Sequence, residues 1–191
     1  LLVTALQAYT LYLRNQRYHE TYDKVNAIEA AIANFYSSQN RYPCPADPAL
    51  SIDDPNSGME NCALATVPGF RDTLVDSNTA PDPIYMGAIP YKTLASVSIN
   101  YDAVTTLKTS LDPWGFSMSY AVTASLTSSA SFNSAYGTIQ VQTENGIDLV
   151  QPKGGAPYLL LASGPNHIGA FTSGGKVTTP CTAGTVDAEN C

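Results

Sequence analysis

From Leu1 to Tyr42 the chain contains neither glycine nor proline, although the whole sequence holds 13 of each. The two residues that most readily break a helix are kept out of one long stretch and crowded into the remainder. This pattern predicts a single α-helix, ended by Ser37, Ser38, Gln39 and Asn40. At 1.5 Å per residue such a helix runs roughly 55 to 60 Å, about twice the width of a small domain. Half of it must therefore protrude or bind something else.

Two halves can be told apart within the run. Tyr18, Tyr22, Val25, Ile28, Ile32 and Phe35 recur at steps of three and four, the spacing of one apolar stripe on a helix. Glu20 and Lys24 stand four apart in the favourable order for an ion pair on the same helix. Leu1 to Leu13 carry no charge, whereas Arg14, Arg17, His19, Glu20, Asp23 and Lys24 follow at once. Thirteen apolar-biased residues fall short of the roughly 20 that cross a bilayer. With no initiator Met and no basic leader region, they do not form an intact signal peptide. We read Leu1 to Leu13 as the distal end of a longer hydrophobic helix. The competing reading is an ordinary amphipathic packing helix that opens the chain.

Cys44, Cys62, Cys181 and Cys191 show no C-x-x-C pair and no His at metal-ligand spacing, which argues against zinc. Short loops close at the least entropic cost, so pairing 44 with 62 and 181 with 191 is favoured, in an oxidising compartment. Four cysteines allow three connectivities, and the sequence leaves that choice open, along with a chain of four buried thiols. A proline- and acid-rich loop runs from Tyr42 to about Pro83, where proline density excludes helix and central strand. Asp54, Asn56, Gly58 and Glu60 in that loop loosely suggest calcium-binding oxygens. A solvated acidic loop stapled by a disulfide explains the same letters.

Alternation takes over in the second half. Ser117–Leu126 and Thr138–Thr143 read as strands with one face buried, and Asn145-Gly146 as a two-residue type I′ turn leading to Ile147–Val150. The apolar run Tyr158–Ala162 reads as an interior strand, with Gly154-Gly155, Gly164-Pro165 and Gly174-Gly175 as turns. The expected fold is α+β: a long N-terminal helix (1–40) packed on an antiparallel sheet. Residues 41–191 supply the globular loop-and-sheet part, with a Pro-rich connection and a disulfide-closed C-terminal loop. The net charge of −7, from 9 Lys+Arg against 16 Asp+Glu, argues against nucleic acid as the main partner.

Four segments, in order, resemble the type IV pilins and, more closely, the pseudopilins of type II secretion systems. Asn34-Phe35-Tyr36 followed by Asn40-Arg41-Tyr42-Pro43 is similar to the family's helix-to-loop junction. Ile89-Pro90-Tyr91-Lys92-Thr93-Leu94 is similar to its loop leading to the sheet. Asp112-Pro113-Trp114-Gly115 looks like its turn entering the first strand, and Leu159–Gly164 with Pro165-Asn166 looks like its last strand and following loop. The family's amino-terminal stretch, with its cleavage site and nearby glutamate, has no counterpart in these residues. Major pseudopilins hold calcium through carboxylates of the C-terminal loop. Here no acid lies between Asp148 and Asp187, which argues against calcium there and for a minor or diverged subunit.

The resemblance implies a structural filament subunit that assembles through Leu1, Leu2, Val3, Leu6, Leu11 and Leu13. Its partners would be other pilin or pseudopilin subunits, and its earlier location the bacterial inner membrane, with the globular part in the periplasm. No cofactor is implied. The residues themselves also fit a secreted disulfide-bonded adhesin or binding module, with 12 tyrosines available for a binding surface. A hydrolase has less material: there is no G-x-S-x-G elbow, and the nearest Ser-His arrangement is Ser163-Gly164-Pro165-Asn166-His167. Phosphate-binding and dinucleotide fingerprints are missing, and nothing marks any two carboxylates as a glycosidase pair.

Overall fold

The computed structural model describes residues 2–70, 81–97, 103–133, 137–143 and 145–180. Helix α1 spans Leu2–Gln39, about 57 Å at the standard rise. It ends at Asn40, which turns left-handed at φ 52° while its N–H donates to the Tyr36 carbonyl. Asn tolerates that conformation better than most residues, so it serves as the stop.

A four-stranded sheet follows, antiparallel throughout: β1 (Thr66–Val67), β2 (Ile84–Ala88), β3 (Ser119–Thr123) and β4 (Tyr158–Leu161), in that spatial order. Between β2 and β3 lie two short helices, α2 (Tyr91–Val97) and α3 (Ala103–Ser110), which pack on each other and on α1. Strand periodicity sorts side chains into two apolar layers. Tyr120 and Val122 join Ile28, Ala31, Ile32 and Phe35 of α1 in the larger one, with Tyr85, Tyr158 and Leu160 at its margin. Ala121 and Ile84, from the opposite face, join Ile139 and Ala156, with Met86, Val141, Val150 and Leu159 packed around them. The α+β arrangement expected from the sequence is thus present, with the C-terminal half of the helix built into the core.

Several local expectations need correction. Thr138–Thr143 makes only single bridges, Ile139 to Ala156 and Gln142 to Asp148, and no regular strand. Its partner stretch, Gln151–Pro157, contains two prolines and two glycines and cannot donate a continuous ladder. The Asn145-Gly146 turn is a three-residue connection: Thr143 N–H donates to the Ile147 carbonyl, Gly146 N–H donates to the Thr143 carbonyl, and Gly146 takes φ 74°. That places one glycine at the left-handed position of a longer hairpin loop, in place of a two-residue I′ turn. Strand β4 is an edge of the four-stranded order, not its interior. Its unbroken apolarity comes from feeding both layers, Leu160 one and Leu159 the other. Finally, Tyr91–Leu94 is helix and not loop, with Pro90 just ahead of its first turn, where a missing N–H costs nothing.

Candidate functional site

The helix that dominates the sequence also holds the candidate site. Its C-terminal half is anchored by Ile28, Ile32 and Phe35, and farther up by a set of polar and aromatic clamps. Lys24 Nζ donates to the Leu111 carbonyl at 2.9 Å and pairs with Glu20 at 2.9 Å, as the spacing predicts. Leu111 leads into the Asp112-Pro113-Trp114-Gly115 turn. There the buried Asp112 Oδ1 accepts the N–H groups of Trp114 (3.0 Å) and Phe116 (2.9 Å), and Gly115 supplies φ 87°. The turn presents Trp114 to the helix: Tyr18 meets its ring edge-on at 6.2 Å and the Arg17 guanidinium lies over it at 5.7 Å, while Arg14 lies over Tyr18 at 6.0 Å. The expected apolar stripe therefore divides. Ile28, Ile32 and Phe35 are buried, whereas Tyr18 and Tyr22 stay exposed.

From Leu6 to Tyr12 the helix stands clear. Leu6, Tyr9, Leu11 and Tyr12 are 64%, 59%, 56% and 63% exposed, and Leu13 is half-buried. Leu2 and Val3 lie in the helix, with side chains outside the described residues, as is Leu1. Among the described residues no helix is long and apolar enough to cross a membrane.

Just past the helix sits a brace that the sequence reading left unassembled. Cys44 and Cys62 form a disulfide. Beside it Glu60 accepts two hydrogen bonds from Arg41, Nη1 to Oε2 at 2.8 Å and Nη2 to Oε1 at 2.7 Å, and one from the Cys44 N–H at 3.0 Å. Burial pushes the Glu60 carboxyl up, but the Arg41 guanidinium and the Cys44 N–H outweigh it and hold the group below the ordinary carboxylate range. The signal was legible: Arg41 and Glu60 stand three and two residues ahead of the paired cysteines, so closing the disulfide brings opposite charges together. Engaged this way, Glu60 is no open calcium ligand, and Asp54 Oδ1 takes the Asn56 N–H. Cys44, Glu60 and Cys62 bring potential ligand atoms within 4.8 Å of one another, but the two sulfurs are bonded to each other. Cys181 and Cys191 lie outside the described residues.

On the sheet face away from α1 opens a cleft of about 450 Å³, floored by Met86, Ser119 and Leu161 and walled in part by Ser163, Ile168 and Phe171. His167 stands beside it in a left-handed turn (φ 54°), its Nδ1 2.9 Å from the Gly164 carbonyl and its ring stacked on Phe116 at 4.1 Å. Both its face and one nitrogen are committed to holding this turn.

The tyrosines offered for a binding surface are partly spent on packing. Tyr120 is fully buried with its hydroxyl donating to the Pro43 carbonyl. Tyr42 contacts Tyr36, Phe132 and Tyr158 at ring distances of 5.1–5.7 Å. Burial, with Glu29 and Tyr42 nearby, pushes the Tyr158 hydroxyl up to about 12. No protein-family model matches this chain, and neither does any curated protein or solved structure.

Proposed function

We propose that the chain is a structural subunit of a filament of the type IV pilin or type II secretion pseudopilin kind, and that the N-terminal half of α1 is its assembly element. One observation carries the reading: the same helix is core at one end and bare at the other. At 100° per residue, Leu6, Tyr9, Tyr12 and Leu13 fall on one face roughly 120° wide, with Leu11 nearly opposite. An apolar face of that width, left bare by its own domain, is stable when surrounded. The natural surroundings are copies of itself, packed by van der Waals contact into a bundle from which the sheet part projects. Repeated head-to-tail contacts that do not close generate an open helical polymer. Before assembly the segment rests against a membrane.

The test is recovery of the chain in filaments sheared from its native cell. Leu6→Glu with Leu11→Glu should remove it from that fraction while leaving the disulfide and the melting temperature of the sheet part unchanged. Recovery of the unaltered chain only as a free monomer, never in a polymer or membrane fraction, refutes the reading.

A further inference from the structure

The two halves of the Cys44–Cys62 disulfide stand in different surroundings. Cys44 is wholly buried, whereas Cys62 is exposed. A disulfide opens when a thiolate attacks one sulfur and the other leaves, so access decides which of the two is attacked. The approach runs along the S–S axis, from the side opposite the leaving sulfur. Attack on Cys44 would have to come through the protein interior. Attack on Cys62 comes from solvent.

The segments that carry the two cysteines are also joined without the covalent bond. The Asn61 N–H donates to the Pro45 carbonyl at 2.8 Å, and Ala46 bridges Glu60. Ala46 exchanges backbone hydrogen bonds with Ala88, 2.9 Å each way, and the Glu60 N–H donates to the Thr93 hydroxyl at 2.8 Å. The Glu60 carboxylate ties Arg41 and the Cys44 N–H together. These contacts flank the bond at both cysteines. With the S–S bond open they hold the two sulfurs facing each other.

We infer that Cys62 is a thiol-exchange site of the folded chain, with Cys44 as its resolving partner, and that the reactant it takes through to completion is a dithiol. A thiolate attacks the Cys62 sulfur and forms a mixed disulfide there, while the electron pair of the broken S–S bond leaves on Cys44 as a thiolate. Held beside the mixed disulfide, the Cys44 thiolate attacks Cys62 in turn, re-forms the original bond and expels the incoming thiolate. A monothiol therefore cycles without net change. A dithiol escapes the cycle, because its second thiolate attacks its own sulfur in the mixed disulfide and releases Cys62 as a thiolate. The dithiol departs as a cyclic disulfide, oxidised by two electrons, and Cys44 and Cys62 take up the two protons it lost. Run backwards, the same route closes the bond in a chain that is already folded.

The test exposes the full chain, without denaturant, to dithiothreitol or to glutathione at equal thiol concentration. Freed thiols are pulsed with light iodoacetamide in the folded state and with its heavy-isotope form after unfolding. Peptide mapping by mass spectrometry keeps Cys44 and Cys62 separate from Cys181 and Cys191. Dithiothreitol should open the 44–62 bond at least about tenfold more than glutathione does, and light label on Cys62 should exceed that on Cys44 about tenfold. Oxidised glutathione, added after the dithiol is removed, should restore the 44–62 pair. Equal opening by the two thiols, light label equal on both cysteines or greater on Cys44, a bond that opens only once the chain is unfolded, or failure to restore the pair each overturn the inference.

Discussion

Replacing Glu60 by Gln removes one negative charge from the brace beside the disulfide while keeping the side chain's shape. The loss can be worked from the geometry. Glu60 accepts two hydrogen bonds from Arg41 and one from the Cys44 N–H, and the two charged side chains are 22% and 23% exposed. Gln retains one acceptor oxygen but turns an amide donor toward a guanidinium donor. A hydrogen bond to a charged group contributes about 1.5–3 kcal/mol. Partial exposure screens the pair and moves the expectation to the lower half of that span, about 2 kcal/mol. For a chain of this length that is a fall of roughly 4–8 °C in melting temperature. The pH dependence is the sharper test. Because the folded-state carboxyl is held below its unfolded value of about 4.3, its contribution is fully present above that value and is lost as pH falls through the folded pKa. Urea titrations of both proteins, with the disulfide intact, should give a constant gap from pH 7 to about pH 5 that narrows steadily below about pH 4. A gap under about 0.5 kcal/mol, or one independent of pH, refutes the brace as an electrostatic element.

Three further outcomes follow from the same structure. Reducing the Cys44–Cys62 bond should cost about 3 kcal/mol by the chain-entropy argument, hence roughly 6–12 °C in melting temperature, measurable by calorimetry with and without a dithiol reductant. Ile32→Ala, at a wholly buried position of α1, should cost about 2–5 kcal/mol in chemical denaturation, whereas Leu6→Ala should stay within about 0.5 kcal/mol. Asp112→Ala should cost about 1–3 kcal/mol because two turn N–H groups lose their acceptor. Asp112→Asn should be neutral or stabilising, since the buried Oδ2 has no hydrogen-bond partner among the described residues. Equal losses for the two Asp112 variants would mean that the charge itself is partnered.

What could be read from the residues follows their physical range. The helix was legible because its signal is local and long: an unbroken run, a 3.6-residue stripe from Val25 to Phe35, and a Glu20–Lys24 pair. Strand β3 was legible because alternate side chains enter two different environments, Tyr120 and Val122 in one and Ala121 in the other. Strand β2 went unread, since Ile84–Ala88 follows directly on a proline cluster and its order derives from full pairing with β3. Helix α3 is rich in threonine, a modest helix former, and is held by packing on α1 and α2. The exposed half of α1 was expected from length alone. Which residue would mark the point of departure was not, because it depends on Trp114 arriving from nearly a hundred residues downstream.

A rod without a weak joint transmits force. Between Leu2 and Gln39 no glycine or proline offers α1 a hinge, so tension applied at its exposed half passes undiminished into the sheet part. It meets the stacked Arg17–Trp114 contact and the Lys24 tether first, then the row Ile28, Ile32 and Phe35 pulled in shear. Behind these, within five residues of the helix end, the covalent Cys44–Cys62 bond keeps the pull from unravelling the loop that follows. With the contacts placed in this order, pulling should slip the rim before it draws the core open, an order that single-molecule force spectroscopy reads directly.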